Sequence, residues 1–314
     1  MLRPCSGAGA GSVSHIRTPM PPLPPPQTPP RTPRRSPEPD STSHQPEDAD
    51  EGGTPSAGAT RLSAKEIHEV VLKTGEEELE RPVSELAWSG LAAGLTMGFS
   101  LLAGAYLGSL VEPPLRPAMT AVGYPLGFIF VVLARSQLFT ENTLFPVIPL
   151  LQRKDGGTLR RVLLLWSVVL AANLVGALLF ALVASRTTML DVGLRADALE
   201  TSRHATDGAF GFTLWRAVFG GWLVALMAWL VSSTRHTGAQ IVLVWLATAP
   251  ISAFGFRHSI AGAVEAFYRA LSGDAEWGTM LGDFLVPAII GNVIGGVTMV
   301  ALLNHAQVKE SKEG

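Results

Sequence analysis

Cysteine and net charge are both scarce in this chain. The 314 residues include one cysteine, Cys5, which excludes an intrachain disulfide and a cysteine-based metal site. The 24 basic and 26 acidic residues nearly cancel, which argues against nucleic acid as the main partner. The chain also has no Gly-x-Ser-x-Gly elbow, no His-Glu-x-x-His helix and no Gly-Lys-Ser/Thr phosphate loop. The expectation is therefore a protein that is not an enzyme and carries no cofactor or metal.

The N-terminal part has little apolar content to bury. Residues 1–60 are rich in Pro, Ser, Thr, Gly and charged residues, a composition that predicts a disordered tail. A proline-rich ligand for an aromatic groove is the alternative interpretation of this tail. No apolar segment follows its basic residues, so it is not predicted to be a signal peptide.

Residues 61–82 have a helical pattern. Ser63 and Glu66 are spaced as a capping box, and Ile67, Val70 and Val71 fall on one helical face. The pattern predicts a short amphipathic helix that lies against the cytoplasmic surface or the base of the following bundle.

From residue 83 to residue 305 the chain is apolar and rich in glycine. It contains six candidate membrane spans of about 20 residues or more, enough to cross a bilayer core of about 30 Å. They are approximately 85–110, 118–150 (broken), 162–185, 211–232, 239–271 (broken) and 283–304. The expected fold class is an all-α polytopic membrane protein, with a short C-terminal tail at 306–314.

Basic residues indicate the orientation in the membrane. The 152–161 loop carries Arg153, Lys154, Arg160 and Arg161 against one acid, Asp155. The positive-inside rule places this loop and both termini in the cytoplasm, in a bacterial-type inner or plasma membrane.

Two polar interruptions divide otherwise apolar spans. They are Leu138–Asn142 and Gly255–Ser259, and an Asn-x-x-Gly step follows each of them in the next span. Counting 34 residues back from Asn173 and from Asn292 pairs Phe139 with His258. Three spans per half predict an inverted repeat, and matching breaks in two such halves indicate a solute site at the membrane midplane. Exposed N–H groups at half-helix ends favour an anion there.

These residues also resemble a known family. The Leu138-Phe139-Thr140 step, the Asn173–Leu179 run, the Phe256–Ala261 run and the Gly291–Gly296 run look like the formate/nitrite transporter family over residues 63–304. The resemblance implies an aquaporin-like six-helix fold, a homopentamer and one pathway in each protomer. It also implies passage of small monovalent weak-acid anions, often together with a proton.

The resemblance assigns residues to the pathway. His258 matches the family's central histidine and Thr140 its partner. The apolar constrictions beside them match the following residues: Tyr124, Phe128, Leu138, Phe139, Val224 and Ile251. Three features depart from the family: Gly221 replaces a pore asparagine, a vestibule lysine has no counterpart near Phe210, and Glu141 and Arg257 stand at unusual positions.

The charged and polar residues of the breaks suggest specific roles. Imidazole exchanges protons near neutral pH, so His258 could supply either a proton or a hydrogen bond to the solute. Glu141 and Arg257 are predicted to form an ion pair across the repeat axis. Asn173 and Asn292 are predicted to be structural, bonding free backbone groups of the breaks.

Two other functions are compatible with the residues. One is a channel for water or a neutral solute, although neither break contains Asn-Pro-Ala. The other is a non-transporting membrane scaffold whose tail recruits a partner.

Overall fold

A computed structural model describes residues 62–309. The predicted disordered tail at 1–60 and the last five residues lie outside this part. The described part folds entirely into helices and their connections, without a β-strand. The helices are α1 (Ala64–Glu80), α2 (Val83–Ser109), α3 (Arg116–Gly123), α4 (Pro125–Leu133), α5 (Val147–Arg153), α6 (Gly156–Arg186), α7 (Val192–Thr206), α8 (Phe210–Ser232), α9 (Thr237–Ala253), α10 (Ser259–Leu271), α11 (Trp277–Thr279) and α12 (Val286–Lys309).

Five helical stretches in residues 62–309 are long and apolar enough to cross a membrane. They are Val83–Ser109, Pro113–Leu133, Gly156–Arg186, Phe210–Ser232 and Trp277–Val300. The last includes a π-helical turn at Met280–Leu285 between α11 and α12. The predicted fifth span, which was expected to be broken, consists of α9, an apolar helix of 17 residues, and α10. The predicted count of six therefore depends on counting this broken pair as one span.

Helix α1 begins with the predicted capping box. The Ser63 hydroxyl accepts from the N–H of Glu66, and the Glu66 carboxylate accepts from the N–H of Ser63. Its buried face runs through Ile67, Val71 and Leu79, whereas Val70 is exposed. The prediction that Val70 belongs to the apolar face is wrong because that face turns toward His68 and Gly75 instead. This face packs against α5, α8 and α12.

Both predicted breaks are present. The first break (residues 134–146) separates α4 from α5 and contains one 3₁₀ turn, Glu141–Thr143. The second break (residues 254–258) separates α9 from α10. Gly255 has a φ of +65° there, a backbone conformation that L side chains rarely adopt. The sequence therefore ends both helices inside the apolar bundle.

Helix pairs α2–α6 and α8–α12 form the most extensive contacts in the bundle. Small residues allow them to cross closely: a Cβ on Gly94 would overlap the carbonyl of Asn173, and one on Gly221 would overlap that of Asn292. In both halves, then, a glycine of the first span packs on the asparagine of the third. The inverted repeat read from the sequence thus has a matching contact in each half.

Candidate functional site

Each break is held by one buried asparagine. The Asn173 side chain accepts from the N–H of Phe139 (2.9 Å) and donates to the carbonyls of Gln137 (2.9 Å) and Gly90 (2.7 Å). In this way it joins the first break to α2. Both N–H groups of its side-chain amide are therefore donated to backbone, and neither is left to bind an anion.

Asn292 makes the equivalent three bonds in the other half. It accepts from the N–H of Ser259 (2.7 Å) and donates to the carbonyls of Arg257 (2.9 Å) and Ala217 (2.8 Å). These are the backbone hydrogen bonds that the sequence led us to expect. We call the two sets the asparagine clasps.

The clasps also correct the register of the repeat. The sequence pairs Phe139 with His258, 34 residues before each asparagine. The N–H groups that bind the asparagines belong instead to Phe139 and Ser259, at separations of 34 and 33 residues. The second connection is one residue shorter, so counting at a fixed spacing misses the correct pairing by one position.

The central pair is formed by one residue from each break. The Thr140 hydroxyl lies 2.7 Å from Nε2 of His258, and both side chains are almost completely buried. The Phe128 ring contacts the imidazole edge to face, with the centroids 4.8 Å apart. The predicted partnership of Thr140 and His258 is therefore present, at the junction of the two halves.

The helix that follows fixes the hydrogen on the imidazole. His258 is the N-cap of α10, and its Nδ1 accepts from the N–H of Ala261 (3.0 Å). A nitrogen that accepts carries no hydrogen, so the neutral ring holds its hydrogen on Nε2 and donates it to Thr140. The hydroxyl hydrogen of Thr140 is then available to a third group. Protonation of His258 at Nδ1 would break the helix cap.

The six predicted constriction residues all belong to one buried apolar cluster. They are Tyr124, Phe128, Leu138, Phe139, Val224 and Ile251. The Phe128 ring contacts both Tyr124 (5.4 Å) and His258. Phe139 points elsewhere and contacts Trp166, with 6.1 Å between the ring centroids. Of these six, Phe128 is the side chain shown in contact with the central pair, where its apolar ring disfavours a hydrated ion.

A cavity of about 410 Å³ leads to His258 from one end of the bundle. This end carries α7, and we call the space the α7 cavity. Its charged and titratable lining residues are Arg116, Tyr124, Asp197, Glu200, His204, Arg216, Arg257, His258 and Glu265. Tyr124 is the one predicted constriction residue among those that line it. The cavity thus joins a polar entrance to His258, whereas Thr140 lies behind the imidazole and does not line it.

Arg257 is not paired with Glu141. Its guanidinium donates to the carbonyls of His204 (2.8 Å) and Asp207 (2.8 Å), at the C-terminal end of α7. Within residues 62–309 no hydrogen bond or ion pair joins Arg257 to Glu141. The predicted ion pair is wrong because the backbone directs Arg257 toward α7, where unpaired helix-end carbonyls accept its hydrogens.

Glu141 lies half-buried near the opposite end of the bundle, where α1 packs. There a polar chain runs from Arg81 to Glu78, from Glu78 to Gln137 (2.7 Å) and from Gln137 to Asn142 (2.8 Å). This series of polar side chains connects the first break to α1. The Glu141 side chain makes no hydrogen bond or ion pair with the rest of residues 62–309.

Two of the departures noted in the sequence have structural explanations. Gly221 faces α12 rather than the cavity, because any Cβ there would overlap the Asn292 carbonyl. An asparagine could not reach the pathway from this position, so the interpretation of Gly221 as a lost pore amide is wrong. Near Phe210, where the lysine is missing, the structure has a different cation, Arg216. Its guanidinium lies 4.2 Å from the centre of the Phe212 ring and donates to the Gly255 carbonyl (2.8 Å).

Glu265 was missed by the sequence analysis. It is 3% exposed and lines the α7 cavity together with His258. The sequence contained a signal for it, since Glu265 is the one acidic residue of α10 and follows His258 by seven positions on the same helical face. An ionisable residue inside a membrane segment is by default a candidate for function.

Comparisons with known proteins agree with this architecture. The family model described as "Formate/nitrite transporter" matches residues 65–306. The chain is 34% identical over 247 residues to the inner membrane protein YfdC of Escherichia coli K12, covering 78% of this chain and 79% of that protein. It is 29% identical over 250 residues to the formate channel BtFdhC of Bacillus thuringiensis, covering 77% and 94% of the two chains.

Solved structures share the fold. An FNT family ion channel matches with a TM-score of 0.65 at 20% identity, covering 78% of this chain and 98% of the other. A pentameric formate channel with formate bound matches with a TM-score of 0.58 at 20% identity, covering 76% and 98%. At 20% identity these structures show the fold alone. The family is shown by the sequence match over most of the chain. The chain is a member of the formate/nitrite transporter family.

Proposed function

We propose that this chain forms a transmembrane pathway for small monovalent anions of weak acids, such as formate or nitrite. The observation that carries the proposal is the Thr140–His258 pair, which is buried where the two broken spans meet and whose His258 lines the α7 cavity. The name of the relative that is a formate channel and the description of the family model support the solute class.

The geometry suggests how an anion would pass. Arg216 and Arg257 give the α7 cavity positive charge, which raises the local concentration of an anionic solute. The Thr140 hydroxyl can then donate to a solute oxygen, because His258 already donates to Thr140. Beyond this point the apolar cluster makes passage of a bare anion costly and passage of the neutral acid much less so.

His258 would therefore act as a hydrogen-bond donor to Thr140 and not as the proton donor. Its Nδ1 is committed to the cap of α10, and a transient imidazolium would have to give up that cap. The other pathway residues have simpler roles in this proposal. Tyr124, Phe128, Leu138, Phe139, Val224 and Ile251 restrict the pathway, Glu141 and Arg257 stand at its two ends, and Asn173 and Asn292 hold its backbone.

The proposal extends to the protein's place in the membrane. The basic 152–161 loop supports a cytoplasmic position for the end of the bundle that carries α1, with both termini on that side. Residues 61–82 would lie at its cytoplasmic base, residues 83–305 would form the transporter domain, and residues 1–60 and 306–314 would be cytoplasmic tails. A homopentamer is proposed because a matching family structure is titled a pentameric channel, and large apolar side chains such as Trp88 and Trp215 cover the outer surface.

Uptake into proteoliposomes tests the proposal. Formate, nitrite, acetate and lactate are compared with glycerol at about pH 5.5 and about pH 7.5, on either side of the usual histidine pKa. His258→Asn is the paired variant, since asparagine can still cap α10 but offers no equivalent of Nε2. We expect weak-acid uptake that rises at low pH and falls in the variant. Glycerol flux without anion flux would show a neutral-solute channel, and no flux of any of these solutes would contradict a transport role for them.

A further inference from the structure

Glu265 occupies a position where a carboxyl group is costly. It lies in the middle of α10, in which every residue from Ser259 to Ala270 is buried. Helices α2, α6 and α7 enclose α10. A carboxylate anion without a partner in such surroundings is strongly disfavoured, so the site stabilises the protonated acid.

Neither neighbouring cation forms an ion pair with Glu265 in the described part, residues 62–309. Arg257 directs its guanidinium to the carbonyls of His204 and Asp207. Arg269, one turn beyond Glu265, pairs with Asp207 (2.6 Å) and Asp274 (2.8 Å). The Glu265 carboxyl itself makes no hydrogen bond and no ion pair with any residue of the described part, 62–309. No direct ion pair or hydrogen bond therefore holds the Glu265 carboxyl, which faces the cavity.

Glu265 faces the same space as the central pair. It follows His258 by seven residues, two helical turns or about 10 Å along the axis, and both line the α7 cavity. The cavity also touches Glu200, whose side chain is 52% exposed. A solute that enters from the α7 end therefore passes Glu265 before it reaches Thr140 and His258.

We propose that Glu265 is the proton donor for anions that enter through the α7 cavity. The carboxyl O–H bond of Glu265 breaks, and its proton forms a new O–H bond on the solute carboxylate or nitrite oxygen. The solute continues as the neutral acid, and Glu265 is left as a carboxylate within the field of Arg257. A proton from the solution at the α7 end then restores the acid. This inference rests on the proposed function and names the source of its proton.

The other titratable groups of the cavity set the field in which this transfer occurs. They are Arg257 and His258 next to α10, Tyr124 between α3 and α4, Arg116 of α3, Arg216 of α8, and Asp197, Glu200 and His204 of α7. The lining residues from α2 and from the π-helical turn, Ala105, Gly108, Ser109 and Phe284, do not titrate. Three acids line the α7 cavity. Asp197 and Glu200 lie within ion-pair distance of Arg116, whereas Glu265 has no paired cation in the described part.

Glu265→Gln tests the proposal, because glutamine keeps the shape of the side chain but cannot lose a proton. The assay records formate uptake and the accompanying proton uptake, with a pH-sensitive dye inside the vesicles. The matched control is Glu276→Gln, which removes an exposed acid that does not line the cavity. We expect Glu265→Gln to reduce formate-coupled proton uptake by about tenfold or more and to flatten its rise at low pH, since positioned proton transfer contributes at least that much. The control should behave as the wild type.

The outcomes separate this inference from the proposed function. Wild-type protein that moves no anion would contradict the proposed function, and this inference with it. Wild-type flux together with unchanged coupling in Glu265→Gln would contradict the role of Glu265 alone. If the glutamine variant does not fold, Glu265→Asp takes its place with infrared spectroscopy. We then expect a protonated-carboxyl band that shifts in the aspartate variant and fades when formate is added, and a wild-type spectrum without such a band would overturn the proposal.

Discussion

The two breaks share a backbone arrangement but differ in chemistry. Each is tied to the first helix of its half by one asparagine with three hydrogen bonds. The first break is long and polar, contains a 3₁₀ turn and contributes Thr140. The second break is short, and its His258 starts a helix that is buried on all sides. The comparison suggests that the repeat preserves the geometry of the backbone while each half is free to change its side chains.

Loss of an asparagine clasp should have the largest effect. Asn292→Ala and Asn173→Ala each leave three buried backbone groups without a partner, at about 1–3 kcal/mol per group. We expect the free energy of unfolding, measured by titration with a denaturing detergent, to fall by several kcal/mol and by similar amounts in the two variants. Asn→Asp at each position keeps the acceptor but sets an oxygen against two carbonyls, so it should lose at least as much. A large loss in one half only would show that the two clasps are not equivalent.

Glycine substitutions at the helix crossings should be the next most damaging. Gly94→Ala and Gly221→Ala place a methyl group against the carbonyls of Asn173 and Asn292. Overpacking of this kind costs about 1–3 kcal/mol, which the same unfolding titration can resolve. Gly282→Ala is the control, because nothing lies within 4 Å of a Cβ there. Equal stability of all three variants would contradict the close crossing.

Removal of the Thr140 hydroxyl should affect transport more than stability. Thr140→Val keeps the shape of the side chain and removes the donor that we place next to the solute. One buried hydrogen bond of about 1–2 kcal/mol corresponds to about a tenfold loss of formate flux in proteoliposomes. Thr140→Ser retains the hydroxyl and should restore most of the flux. If Thr140→Val transports as well as wild type, the hydroxyl does not contact the solute.

Acid should act in opposite directions at the two ends of the bundle. Burial raises the pKa of Glu78 in α1, partly offset by Arg81, so its contribution to stability is largest at low pH and declines as pH rises above the usual carboxyl range. A hydrogen bond from Arg203 lowers the pKa of Asp274 near α7, so its contribution is complete above the usual range and is lost as pH falls below it. Unfolding titrations across this range measure the slope of stability against pH. Compared with wild type, Glu78→Gln should remove a decline of stability with rising pH, and Asp274→Asn should remove an increase. If the slope changes in the same direction in both variants relative to wild type, these assignments are contradicted.

The sequence was most informative about the parts that repeat. Hydropathy located the long helices, the polar interruptions located both breaks, and Asn173 and Asn292 were correctly expected to bind the backbone there. Family resemblance brought Thr140 and His258 together. These features depend on local pattern or on motif spacing, both of which can be read without coordinates.

Features that depend on side-chain direction could not be read in this way. The direction of Arg257 follows from carbonyls at the end of α7, a helix about 50 residues away in the chain, and so the Glu141 pairing was wrong. The inaccessibility of Gly221 follows from its contact with α12. Glu265 differs, since its charge is visible in the sequence but its position against the cavity depends on how α10 packs.

The complete burial of α10 has a consequence for how the protein responds to bilayer thickness. Bilayers of different thickness act on helices through their lipid-exposed surfaces, by tilting or stretching them. Helices α2, α6, α8 and α9 carry large exposed apolar side chains, whereas α10 has none from Ser259 to Ala270. The half-helix that begins after His258 and carries Glu265 therefore offers no large lipid-facing side chain on which a change of thickness could act directly.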